Sequence, residues 1–430
     1  MIRRLALVAL VLVVGTAAIV GIARFTRLAP EPALVLDPLS RVPPPTDSFA
    51  ALVLERYIGM HVVPGNRVEV LLNGDATFPR LWRDLRAARR TITVQNYYSL
   101  PGSVADSFRT ILIERARAGI RVMVLLDAFG SEGLPASWRA DLRAHGVAVA
   151  DLRPLEWSTI HTAANRSHVR AIVIDGQIGY TGGFGIADYW LGDGLHSNQW
   201  RESNVRIEGP VVTELQAAFG AAWLEATGDL LTGETYFPDA TFIGRPGPSD
   251  AGIFFSTPTD GNTAAERFLA LMITSARRRL YITNSYFVPN DDFRRLLAQA
   301  VARGVDVRIL TTGPITDVKT TWFAGRSHYE ELLSAGVRIF EYQPAMMHAK
   351  TIVVDGYWSS IGSMNFDNRS LAFNDEANLV AIDSATGATM EQAFLGDLTH
   401  SQEVTLAIFA KRPWTERAFE MAAALASRVL

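Results

Sequence analysis

Past its first sixty residues the chain alternates between two hydrophobic periods. Short runs dense in β-branched residues, Val68–Leu72, Thr91–Tyr97, Val122–Leu126 and Val147–Leu152, have the length and composition of buried strands. Between them lie Phe78–Arg89, Val104–Ala118 and Ser137–His145, with apolar residues three and four apart, which predicts amphipathic helices. A helix over Val211–Leu224 closes this half. The order then returns. Helices are expected at Ala264–Arg277, Phe293–Ala302 and His328–Ser334, and strands at Leu280–Phe287, Val305–Leu310 and Val337–Tyr342. Paired text marks the repeat: Ala118-Gly-Ile-Arg-Val against Arg303-Gly-Val-Asp-Val, and His145-Gly-Val-Ala-Val against Ala335-Gly-Val-Arg-Ile. Strand and helix in alternation imply an α/β fold, a β-sheet with helices on its faces. The Gly- and Pro-rich stretch Thr227–Gly252 marks the boundary between two similar domains.

The two ends follow other patterns. Leu5–Ala23 is uncharged and mostly apolar, bounded by Arg3 and Arg4 before and Arg24 and Arg27 after. At about 1.5 Å per residue such a helix spans roughly 28 Å, which predicts an N-terminal transmembrane anchor over residues 1–27. A cleaved signal peptide is the competing reading, with Thr16-Ala-Ala18 and Gly21-Ile-Ala23 as cleavage sites. Residues 28–47, with Pro30, Pro32, Pro38, Pro43, Pro44 and Pro45, read as a stiff linker. Ser48–Tyr57 can form a helix capped by Ser48. The expected organisation is then a first domain over 48–230, a linker over 231–252 and a second domain over 253–430. The tail Trp414–Leu430 reads as an amphipathic helix capped by Thr415, suited to packing or to a membrane surface.

Composition narrows the chemistry. There is no cysteine, so disulfides, thiol catalysis and Cys-based metal sites are excluded. The net charge is −3, and residues beyond 47 carry 36 basic against 41 acidic groups, without the basic excess usual in nucleic-acid binders.

Two stretches stand out in this frame. His168-Val-Arg-Ala-Ile-Val-Ile-Asp175 and His348-Ala-Lys-Thr-Ile-Val-Val-Asp355 share the order His-x-cation, four residues, Asp, with histidines 180 residues apart. On a strand, residues two apart share a face, so His168 projects with Arg170 and His348 with Lys350. An imidazole beside a fixed cation suits phosphodiester chemistry: one attacks phosphorus or moves a proton, the other neutralises the phosphoryl oxygens. Similar text follows each copy, with Gly182-Gly183-Phe-Gly185 in the first and Gly362-Ser363-Met-Asn365 in the second.

On these residues, with Asn374-Asp-Glu376 trailing the second copy, the chain resembles the phospholipase D superfamily, and within it the bacterial cardiolipin synthases, over about residues 65–415. The resemblance implies two phospholipase D-type domains, each a mixed sheet flanked by helices, with one active site at their interface. It implies a two-step reaction through a phospho-histidine, without metal or cofactor, with His168 as nucleophile and His348 as general acid/base. It further implies that Glu376 orients His168 and Glu202 orients His348, each from the opposite half. Asp175 and Asp355 join the site residues as holders of the turn and the cation, and Gly183, Ser363 and Asn365 as phosphate contacts. Three positions depart from the family: Arg170 replaces Lys, Gly185 replaces Asn, and Glu202 stands where Asp is common. The implied function is phosphatidyl transfer, making cardiolipin from two phosphatidylglycerol molecules at a bacterial cell membrane. The alternatives are hydrolysis of phospholipid to phosphatidic acid, a nuclease, and a non-catalytic lipid-binding scaffold. The partners expected are phospholipid and membrane, not nucleic acid.

Overall fold

The hairpin that follows each His-x-cation pair shows how local sequence sets this fold. The computed structural model describes residues 11–16, 34–37, 42–155, 164–257 and 263–425. Strands β6 (Ala171–Ile174) and β7 (Ile178–Gly182) are joined by a turn in which Gln177 N–H donates to the Ile174 carbonyl. Its central residues Asp175 and Gly176 both have positive φ, 56° and 67°. That is the type I′ geometry, which matches strand twist and favours Asp-Gly. In the second half β15 (Lys350–Val354) and β16 (Trp358–Gly362) turn the same way through Asp355 and Gly356 at 55° and 68°.

Around each hairpin the halves build the same sheet. The first half supplies β1 (Val63–Leu72), β2 (Thr91–Asn96), β3 (Arg121–Asp127), β4 (Ala148–Leu152) and β9 (Ser203–Glu208), in the order β4-β3-β2-β6-β7-β9-β1. The second supplies β10 (Ser249–Ser256), β11 (Arg279–Asn284), β12 (Asp306–Thr312), β13 (Arg338–Tyr342), β17 (Asn374–Ile382) and β18 (Ser401–Val404), in the order β18-β13-β12-β11-β15-β16-β17-β10. In both, the first three strands after the opening one run parallel and are linked by helices, while the hairpin adds antiparallel strands. Strands β2 and β15 are buried along their whole length, which explains runs without polar alternation.

The halves are fused rather than merely adjacent. β1 pairs antiparallel with β10, Val63 opposite Ala251, so a single path of hydrogen-bonded strands crosses the molecule. The stretch 231–252 accordingly carries structure, a short helix Ala240–Ile243 and the start of β10. One hydrophobic cluster draws Val169, Val173 and Leu215 from the first half and Val353, Leu379 and Phe394 from the second.

The chain divides into Met1–Arg41 and a body Val42–Leu430. Residues 11–16 are helical; the rest of the predicted anchor Leu5–Ala23 lies outside the described residues, as does half of the linker 28–47. Among the described residues no helix is long and apolar enough to cross a membrane. The helix Ser48–Ile58 is capped by Asp47, whose carboxylate accepts from Phe49 N–H, in place of Ser48. Trp414–Ala424 follows Pro413 without the cap expected of Thr415. Lys319–Arg326 is a helix that the hydrophobic pattern does not announce.

Candidate active site

Each histidine sits just before its strand, where short ladders tie the halves together. β5 (Arg166–Ser167) pairs with Asn374 and Asp375 of β17, and β8 (Trp200–Arg201) pairs with β14 (Met346–Met347). As a result His168 N–H donates to the Asp375 carbonyl at 2.9 Å, and His348 N–H to the Arg201 carbonyl at 2.8 Å. The next residue in each acceptor segment is the carboxylate for that ring. His168 Nδ1 lies 3.0 Å from Glu376 Oε2, and His348 Nδ1 lies 2.5 Å from Glu202 Oε2. Each histidine is thus held by backbone and side chain of the opposite half. Nδ1 is engaged in both rings, which leaves each Nε2 for chemistry.

Both rings line one pocket of about 290 Å³, with Arg170, Tyr97, Tyr98, Trp190, Trp200, Tyr286, Asn365, Asp367 and Arg369 among its walls. The cations mirror each other. Arg170 Nη1 donates to the His168 carbonyl at 2.6 Å, and the Lys350 ammonium donates to the His348 carbonyl and, at 2.9 Å, to Ser285 Oγ. All four residues are buried. Burial, reinforced by Arg170 and opposed by Glu376, lowers His168 to about 4. Burial, then Lys350, Arg170 and His168, holds His348 well below the usual histidine range. At neutral pH both imidazoles are therefore uncharged, as a nitrogen nucleophile must be. Burial also lowers Lys350 to about 7. Arg170, whose guanidinium starts from a far higher value, keeps its charge in the same surroundings.

The two carboxylates are supported differently. Glu376 accepts from Ser363 Oγ at 2.6 Å, Ser370 Oγ at 2.7 Å and Asn374 Nδ2 at 3.2 Å. Glu202 accepts from Ser203 N–H at 3.0 Å and the Trp190 indole N–H at 3.2 Å. Gly183, the counterpart of Ser363, makes room for this: a Cβ there would lie 2.5–2.7 Å from the Glu202 carboxylate. Gly185, the counterpart of Asn365, makes room for the indole, since its Cβ would lie 2.6 Å from two Trp190 ring carbons. Gly183 thus makes way for the Glu202 carboxylate and Gly185 for a buried tryptophan, whose indole N–H serves Glu202 where serine hydroxyls serve Glu376 in the second half. Trp190 also meets the His348 ring edge-on at 5.4 Å, and Trp200 stacks on it at 4.7 Å.

Of the expected site residues, His168, Arg170, His348 and Asn365 line the pocket, and Glu202, Glu376 and Lys350 stand directly behind it. Gly183 and Ser363 contact the carboxylates rather than the pocket. Asp175 and Asp355 hold the turn as expected, and the cation is the correction. Their carboxylates accept from the backbone N–H groups of Arg89, Arg90 and Thr91, and of Arg277, Arg278 and Arg279, and neither holds a cation of the site. They sit in the turn at the far end of a strand, so they secure the hairpin. Residues that the sequence did not single out are Trp190, Trp200, Arg369 and Asp367. Their one common sign was an aromatic or charged residue close after each copy.

Comparison with known proteins agrees with this geometry. The family model described as "Cardiolipin synthase, PLD-like domain" matches residues 269–398. Cardiolipin synthase of Geobacillus kaustophilus is 32% identical over 91% of this chain and 78% of its own length. Cardiolipin synthase A of Pseudomonas entomophila is 34% identical over 84% and 74% respectively. Among solved structures, phosphatidylserine synthase of Haemophilus influenzae has the same fold, with a TM-score of 0.67 at 14% identity, over 88% of this chain and all of that one.

Proposed function

The chain belongs to the cardiolipin synthase family of the phospholipase D superfamily, and from that premise we propose that it transfers phosphatidyl groups between phosphatidylglycerol molecules to make cardiolipin. The observation that carries the reading is the pair of His–Glu contacts, each crossing between halves, that bring both imidazoles to one pocket.

In this reading His168 Nε2 attacks the phosphorus of a phosphatidylglycerol. The P–N bond forms as the P–O bond to the headgroup glycerol breaks, and His348 delivers the proton that releases glycerol. Burial, then Lys350 and Arg170, hold the proton affinity of His348 down, and a bound phosphodiester anion opposes the two cations and so favours the imidazolium this step needs. The terminal hydroxyl of a second phosphatidylglycerol then gives its proton to His348 and attacks phosphorus. Cardiolipin leaves and His168 is restored. Arg170 and the Asn365 carboxamide face the phosphoryl oxygens, and the Lys350 ammonium adds its charge from directly behind them. Support for the role assignment comes from the carboxylates: Glu376 is held below the usual carboxylate range despite its burial by His168 and serine hydroxyls, a fixed anion behind a nucleophile, whereas burial raises Glu202.

The substrate places the enzyme at a bacterial membrane, and residues 1–27 are the proposed anchor. The test is incubation of the purified protein with phosphatidylglycerol vesicles and analysis of the lipids. Cardiolipin and glycerol in equal amounts support transfer; phosphatidic acid in place of cardiolipin makes water the acceptor. His168→Ala and His348→Ala each abolish turnover, and a phosphorylated histidine is trapped at 168.

A further inference from the structure

The helix Trp414–Ala424 is packed inside out. Beside the buried Ala423, its inward side carries two acids: Glu420 accepts from Arg326 Nε at 3.2 Å and from Arg412 Nε at 2.8 Å, and Glu416 accepts from Arg326 Nη2 at 3.1 Å. Its outward face is apolar. Trp414, Ala418, Met421 and Leu425 follow one another at steps of four, three and four, one stripe of a helix, and all are exposed, Trp414 at 78% and Leu425 at 79%. Phe419 beside the stripe, and Leu406 and Ile408 in the preceding turn, are exposed too. A globular protein gains nothing from this arrangement in water, where the stripe would bury and the acids would face out.

We propose that this stripe seats on an anionic lipid bilayer and sets the mouth of the active site at the lipid surface. Charge argues for the bilayer as occupant. Both acids of the helix are paired with arginines, Glu420 fully buried and Glu416 half-buried, which leaves Lys411 and Arg417 as exposed charges of this segment on a protein of net charge −3. A basic-flanked stripe of Trp, Met and Leu is the composition of helices that lie in the interface. Position argues the same way. The helix packs on Lys319–Arg326, with Phe419 stacked on Phe323 at 5.4 Å. Thr321 of that helix, and Val318 at its start, line the active-site pocket. The consequence for turnover rests on the proposed lipid substrate; the docking itself does not.

The chain has no cysteine, so Met421→Cys in the full-length protein carries a single polarity-sensitive dye. With phosphatidylglycerol vesicles the dye shifts to an apolar environment, and with phosphatidylcholine vesicles it shifts much less. The same dye on Thr389→Cys, an exposed position on another helix, stays aqueous in both. Met421→Ser combined with Leu425→Ser lowers turnover of vesicle lipid at least about ten-fold, while turnover of a soluble short-chain phosphatidylglycerol stays within about two-fold. A dye that remains aqueous on vesicles carrying the protein overturns the proposal. So does a dye already buried without lipid in a particle of twice the chain's mass, because a second copy then covers the stripe. A dye that moves into phosphatidylglycerol vesicles while the protein turns over neither lipid leaves the docking standing and removes the proposed function instead.

Discussion

Replacing Gly183 with serine copies the second half, where Ser363 donates to Glu376, yet it is expected to damage the first. A Cβ at 183 would lie 2.5, 2.6 and 2.7 Å from Oε2, Oε1 and Cδ of Glu202. The backbone at 183 lies outside the left-handed region, so the conflict is one of space alone. To restore ordinary contact the carboxylate must withdraw by about 1 Å. Glu202 now sits 2.5 Å from His348 Nδ1; a retreat along that axis stretches the contact to about 3.5 Å, the limit of a hydrogen bond. Losing a charge-assisted bond costs about 1.5–3 kcal/mol, or about 10- to 150-fold in kcat/KM if the contact is needed in the transition state. Glu202→Asp shortens the side chain by one methylene and frees the space, so the double variant regains at least about ten-fold over Gly183→Ser. The assay is cardiolipin formation from phosphatidylglycerol vesicles, with thermal unfolding run beside it to exclude a folding defect. Near-normal kcat/KM for Gly183→Ser, or strictly additive losses in the double variant, would refute the reasoning.

Three further outcomes follow from the same geometry. Arg170→Lys places an ammonium where Lys350, equally buried, is already lowered to about 7; turnover at pH 8 should fall about two- to ten-fold and recover as pH is lowered toward 6.5 and the lysine regains its proton. His168, lowered to about 4 chiefly by burial, should stay neutral on acidification well past the usual histidine range. Glu376→Gln removes the partner that raises it, so the ring should titrate lower still in an NMR titration; an upward shift would contradict the assignment. Asp355→Ala strips the acceptor from three backbone N–H groups and removes a residue suited to positive φ, so it should cost about 2–4 kcal/mol of stability in denaturant unfolding. Measured well below its melting temperature, that variant should keep kcat within about three-fold, because its carboxylate lies at the far end of the strand from His348.

The sequence by itself determined what depends on short-range periodicity: the alternation of strands and helices, the doubling of the chain, and the pairing of each histidine with a cation two residues on. It also carried Glu202 and Glu376, though through family resemblance, since nothing in the spacing of 146 and 208 residues between partners could assign them. Only the tertiary structure decided the rest. It joined the halves into one sheet through Val63 and Ala251, and gave Asp175 and Asp355 backbone N–H groups in place of the expected cations to hold. It showed Gly185 making room for the Trp190 indole that donates to Glu202, and Gly183 making room for the Glu202 carboxylate itself. And it set the apolar side of the last helix outward, where the pattern of Trp414–Leu425 alone says only that one side is apolar. The physical reason is the same in each case. Hydrophobic period is a property of neighbours along the chain, whereas the volume beside a glycine, the partner of a carboxylate and the neighbour of a helix face belong to residues brought together by folding.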